Sequence, residues 1–243
     1  MCDAYGVDQK ALLERAPLPA DFFENEGPGV TTRQFFECWA IFHSFMGDAI
    51  MALEIGRASF HGPFHSAVYA FSCSETIEAG LERLAVFKPL VGPFDLQLAR
   101  TEDGLMVRPG SVDDRVDVPP SLVALEVGYF IESFRVCTGH NVVPLRLEIP
   151  SETPGLERLS AFAGVRPILD HPLSILLSAE DAARPLVTQN ASFLRAFELE
   201  MGRKLRELTE GSGLRAQVRE TLMRLLPTGA ASADAVARAM CLS

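Results

Sequence analysis

Between Pro119-Pro120 and Gly139 the chain carries a long apolar helical pattern with one carboxylate, Glu126, set into the middle of its apolar face. At about 100° per residue, Leu122, Leu125, Tyr129 and Val136 fall on one side of an apolar arc. Val123, Val127, Phe130 and Phe134 fall on the other, with Glu126 and Ser133 at the centre. Gly128, Glu132 and Arg135 take the opposite face. Burying such an arc carries Glu126 inward, where a carboxylate without a partner costs several kcal/mol in desolvation. Two readings follow: a buried ion pair with an arginine such as Arg146 or Arg166, or a polar group of a ligand pocket. A Glu126→Leu variant separates them, because a pocket group would cost ligand response and leave the fold.

The rest of the chain changes period as it runs. A short helix around Gln9–Arg15 precedes a stretch broken by Pro17, Pro19 and Pro28. Thr31 or Thr32 then caps a helix with an aromatic stripe of Phe35, Phe36, Trp39, Phe42 and Phe45, and a second helix follows Gly47-Asp48 through Ile55. Ser66–Ser72 reads as a strand, and the residues from Ser74, with Ile77, Leu81, Leu84 and Phe87, as a helix that Pro89 stops. Phe94–Ala99 and Leu105–Arg108 form a hairpin about Glu102-Asp103-Gly104. Val142–Ile149 is the next strand and Pro154–Phe162 a short helix. Val165–Leu169 and Leu173–Leu177 read as a second hairpin around Asp170-His171-Pro172, with Pro167 at an edge. Two amphipathic stripes, from Asn190 to Leu208 and from Leu214 to Leu225, follow. The order fits an α+β fold: a mixed, largely antiparallel sheet with packed helices, a helical N-terminal layer and a C-terminal helical connector.

Composition narrows the classes. With 243 residues, 48% of them hydrophobic, the chain can bury one sizeable core. A net charge of −10 argues against a nucleic-acid groove or an anionic membrane as its main partner. Five scattered cysteines without CxxC spacing suggest reduced thiols in a cytoplasmic protein, with no zinc knuckle. No signal segment and no run near the roughly 18 apolar residues of a membrane span is visible.

The last residues are suggestive. Ser232 reads as an N-cap, Val236 and Ala237 lie in a short helix, and Ser243 stands as a second N-cap, as in a helix-turn-helix that stops before its recognition helix. Ser243 is therefore expected to be a truncation boundary. Together with Gly47-Asp48…Ala52-Leu53-Glu54-Ile55-Gly56, Tyr69-Ala70…Ser74-Glu-Thr-Ile-Glu-Ala79, Phe162-Ala-Gly-Val-Arg-Pro-Ile168 and Ala183-Arg-Pro-Leu186, the chain resembles the arabinose-binding-type N-terminal domain of AraC/XylS-type transcription regulators. Ile168 and Leu169 stand where an aromatic is usual, and Ser74-Glu75-Thr76 lacks the family's proline. The resemblance implies a domain that binds a small effector, forms a homodimer, and reaches DNA only through a C-terminal domain that is missing here.

The expected division is a helical layer over 1–57, an α/β effector-binding core over 58–189, connector and dimerisation helices over 190–227, and the start of the helix-turn-helix over 228–243. Glu126, Tyr129, Ser133, Trp39, His43 and Tyr69 are the candidate effector contacts; Ser232, Val236, Ala237 and Ser243 belong to the partial DNA-binding motif. The aromatics of the 31–46 helix also suit plain core, and His43 a satisfied boundary position. His61, His65 and Cys73 could suggest a metal, but Gly62-Pro63 breaks the helix that would align them, so no metal and no cofactor is expected. His65, Cys73 and His140 form a nucleophile–base set only on paper, and no catalytic motif accompanies them. A non-enzymatic sensor is the reading, against a processing enzyme of unrecognised type or a pure oligomerisation scaffold. An inward carboxylate suits a cationic, or mixed polar and apolar, ligand.

Overall fold

The computed structural model describes residues 2–19, 22, 30–48, 50–61, 66–211, 221 and 235. The second C-terminal stripe, Thr221 apart, and Ser232, Val236, Ala237 and Ser243 lie outside the described residues. The chain divides into two compact units, Met1–Glu198 and Leu199–Ser243.

The first unit opens with helices α1 (Gln9–Arg15), α2 (Thr32–Ser44) and α3 (Met51–His61). Thr31 starts α2 with a capping box: its hydroxyl accepts from the Gln34 N–H at 3.2 Å, and the Gln34 side-chain oxygen accepts from the Thr31 N–H at 3.0 Å. The apolar face of α2 is spent on the core. Phe36, Trp39 and Phe42 are buried with Ile55 of α3, Leu122 and Phe94.

Ser66–Ser72, expected as a strand, is helix α4. Val68 and Ala70 satisfy a strand's alternation, but Phe71 is buried beside them, and three buried positions at 68, 70 and 71 fit a helical face instead. Helix α5 (Ile77–Phe87) follows from a Thr76 cap and runs into a 3-10 turn, Lys88–Leu90.

Four strands build one sheet: β1 (Phe94–Arg100), β2 (Gly104–Ser111), β3 (Arg146–Glu148) and β4 (Ser174–Ser178), in the order β1-β2-β4-β3 with antiparallel neighbours. The first hairpin forms as expected. The second does not: β4 pairs with β2 and β3, and Ile168 meets Glu148 through a single parallel bridge. Pro167 and Pro172 each lack the N–H a ladder needs, and Asp170 sits at a left-handed φ of 66°. The Val142–Ile149 strand shrinks to three residues for a related reason, since Pro144 removes a donor. The inner strands bury Leu105–Val107 and Ile175–Leu177 without alternation, as expected where both faces are covered.

Helix α6 (Pro120–Thr138) crosses this unit and ends at Gly139, in the left-handed conformation. Its supposedly outward Gly128 is buried, because α3 lies on that side. A Cβ on Gly128 would stand 2.5 Å from the Leu53 carbonyl oxygen, and one on Gly56 would collide with that of Leu125. The two glycines let the backbones of α3 and α6 touch. Beside them Glu132 pairs with Arg57 at 3.2 Å. Helices α7 (Leu156–Ala163) and α8 (Ala179–Ala182) follow; Arg135 of α6 donates to the Phe162 carbonyl at 2.9 Å at the end of α7.

Helix α9 (Ala191–Gly211) carries the first C-terminal stripe. No helix among the described residues is long and apolar enough to cross a membrane.

Candidate functional site

A cleft of about 830 Å³ lies where the β1–β2 hairpin, the segment 114–118 leading into α6, and the turns at 150–152 and 170–173 meet. That volume is within the roughly 300–1,000 Å³ range of small-molecule pockets. The strand pattern makes one wall: Phe94 and Asp95 start β1, and Arg108 to Ser111 end β2 opposite them. Helix α6 makes another, with Pro120, Val123 and Glu126 in its first two turns.

Glu126 is inward, as its place on the arc requires, with 8% of its side chain exposed. Its partner is neither Arg146 nor Arg166 but Lys88, whose Nζ donates to Glu126 Oε2 at 2.5 Å with 3% of its side chain exposed. Arg146 pairs instead with Glu148 at 3.1 Å. The Lys88 ammonium also stands over the rings of Phe130, Phe94 and Tyr129, at 4.8, 5.4 and 5.7 Å from their centroids. Lys88 was legible only as a lysine caught in the apolar run Ala85-Val-Phe-Lys-Pro-Leu-Val91. Its inward direction comes from the 3-10 turn at the end of α5.

The other candidate contacts are dispersed. Glu126 lines the cleft; Tyr129, Ser133, Trp39, His43 and Tyr69 do not. Tyr129 lies behind Glu126, its hydroxyl buried and without a hydrogen-bond partner; burial first, and the Glu126 charge second, push its ionisation far up, so the phenol stays neutral. Ser133 donates to the Phe130 carbonyl at 2.7 Å, within its own helix. Trp39 belongs to the N-terminal core and donates from Nε1 to the Ser121 hydroxyl at 3.0 Å. His43 is half-buried with Nε2 unpartnered, and burial lowers its pKa. Tyr69 stacks on Phe197 of α9, with centroids 4.8 Å apart and planes within 7°.

Acids dominate the cleft, and sequence reasoning passed over all of them but Glu126. Asp95, Asp114, Asp117, Glu126, Glu152 and Asp170 line it, against Arg108 and His171. They come from five separate segments, so no local motif announces them. Neighbouring cations are engaged elsewhere: Arg115 forks onto Asp113 at 2.8 and 3.0 Å, and Arg100 holds Glu78 at 2.6 Å. Arg115 keeps the Asp113 carboxyl below the usual carboxylate range.

Among the described residues no group of three or more histidines, cysteines or acids could hold a metal. His61 pairs with Glu132 at 3.2 Å, and His65 lies outside the described residues. Burial pushes up the Cys73 thiol, and that of Cys137 to about 11, which disfavours the thiolate a nucleophile needs.

No curated protein matches the chain. Among solved structures it is similar to the transcriptional regulator CdpR from Pseudomonas aeruginosa, at 15% identity and a TM-score of 0.49, over 68% of this chain and 58% of that one. The chain thus spans little more than half the length of that regulator. Residues 6–186 match the arabinose-binding domain found at the N-terminus of AraC transcription regulators. By that match, which takes in α1 through α8 and the whole sheet, the chain belongs to the arabinose-binding N-terminal domain family of AraC transcription regulators.

Proposed function

We propose that this chain is the small-molecule-sensing and dimerisation part of a cytoplasmic bacterial transcription regulator, and that it acts on DNA through a helix-turn-helix domain following it. The observation that carries the reading is a ligand-sized cleft, with a buried ion pair in its wall, inside the segment that matches an effector-binding family. An effector that binds one arrangement of the domain more tightly than another shifts the population toward it. The shift would leave through α9. The first turns of that helix are tied to the rest of the first unit by Tyr69, stacked on Phe197 and edge-on to Phe193, and by Arg83, which donates to Glu198 at 3.0 Å. A small change in α4 or α5 is therefore felt at the start of the connector.

The test is a thermal-shift screen of the 243-residue chain against amines, amino acids, sugars and acyl compounds, followed by operator binding of the full regulator with each hit. A ligand specific to the folded state stabilises it by about 2.7 kcal/mol at 100 times its Kd. At least one class should raise the melting temperature and change operator affinity. A screen in which no class does either overturns the proposal.

A further inference from the structure

We infer that the cleft takes a small organic amine, bound as its ammonium ion, with an apolar body that rests on Phe94, Val116, Val118 and Leu173. This rests on the effector-sensing reading and specifies its ligand class. The protein already displays the recognition chemistry on itself. Lys88 is an alkylammonium held by one carboxylate and the faces of three rings. Two of those groups, Glu126 and Phe94, also line the cleft. Glu126 is already neutralised by Lys88, so a ligand ammonium arriving there finds its charge partners in the other acids of the cleft and its apolar contact on the Phe94 ring.

The walls agree with the floor. Asp95, at the start of β1, has its carboxylate oriented by the Leu96 N–H at 2.7 Å and by Gln97 Nε2 at 2.8 Å. Asp117 lines the cleft from the segment that enters α6, and Asp170 from a turn in which its φ is 66°. An anionic ligand would meet carboxylates from every wall and find Arg108 and His171 as the only basic side chains among the lining residues. A neutral sugar would leave the charge excess uncompensated. A cation relieves that excess, and the apolar side chains give its body a surface to desolvate against.

Charge-matched probes on the intact chain test this. Phenethylamine, phenethyl alcohol and phenylacetate share a skeleton and differ in charge; putrescine and agmatine extend the amine arm, and arabinose and succinate serve as non-amine controls. Thermal shift and calorimetry should show binding of amines, with the alcohol and the acids at least roughly tenfold weaker, the equivalent of about 1.4 kcal/mol. Two variants locate the site. D95N/D117N removes two partly or fully exposed acids and should weaken amine binding at least about tenfold. Gly110→Trp fills the cleft from a β2 position where an added Cβ meets nothing within 4 Å, and should abolish binding while the melting temperature of the free chain stays near wild type. Amine binding that survives both variants overturns the site. Binding of arabinose or the acids without the amines overturns the ligand class and leaves the effector reading standing. A chain that binds no probe of any charge overturns the inference, and if the wider screen is equally silent, the effector reading falls with it.

Discussion

The residues that matter most here are two that neutralise each other. Lys88 and Glu126 are both more than nine-tenths buried and 2.5 Å apart. Removing one partner of such a pair strands the other charge in a poor solvent, at a cost of about 3–5 kcal/mol. Lys88→Met should therefore lower stability by that amount in urea melts. The double variant K88M/E126L should recover most of it, because two apolar side chains of similar volume need no counter-charge. A single K88M variant costing less than about 1 kcal/mol would mean that Glu126 draws on another cation. The same logic changes what Glu126→Leu can report. On its own it would strand Lys88, so loss of ligand response in that variant would mix lost binding with lost stability. The double variant is the cleaner probe.

At the scale of elements, the contact of α3 with α6 sets the frame. Helix α6 carries Glu126 into the cleft, and α3 fixes the height and rotation of α6 by backbone approach at Gly56 and Gly128. At both positions the opposing atom is a main-chain carbonyl oxygen, which cannot swing aside as a long side chain can. Gly128→Ala should force the helices apart and destabilise the domain by about 2–3 kcal/mol, even though alanine has the better helix propensity. Denaturant unfolding of Gly128→Ala beside Gly202→Ala separates the two effects. Gly202 of α9 has room for a methyl, its nearest atom being the end of the Arg206 side chain at 3.7 Å. Propensity should therefore dominate there and leave stability unchanged or slightly raised. Equal costs at both sites would show that α3 and α6 can separate without penalty.

For the molecule as a whole, the net charge of −10 and the acidic cleft act in opposite directions as salt rises. Screening shortens the reach of charge from about 10 Å at 0.1 M ionic strength to about 3 Å at 1 M. The ligand-free chain should gain melting temperature as its self-repulsion is screened. Amine affinity should fall several-fold over the same range. Calorimetry across a salt series measures both. An affinity flat in salt would place the recognition energy in apolar contact instead of charge.

The sequence by itself determined the elements whose cause is local. A threonine cap at Thr31 or Thr32, Pro119-Pro120, Gly139 and the alternation of Phe94–Ala99 each act within a few residues, and α2, α6 and the first hairpin stand where those signals put them. The inward direction of Glu126 was equally legible, since helical period alone turns it toward the apolar arc. Tertiary structure decided the rest. Short apolar runs fit more than one period, so α4 became a helix only when Phe71 joined Val68 and Ala70 in the core. The partner of Glu126, the placement of β4 between β2 and β3, and the gathering of acids from five segments into one cleft depend on which distant stretches pack together. Pairing and burial are interactions between segments, and one segment's pattern specifies its own face without naming what will cover it.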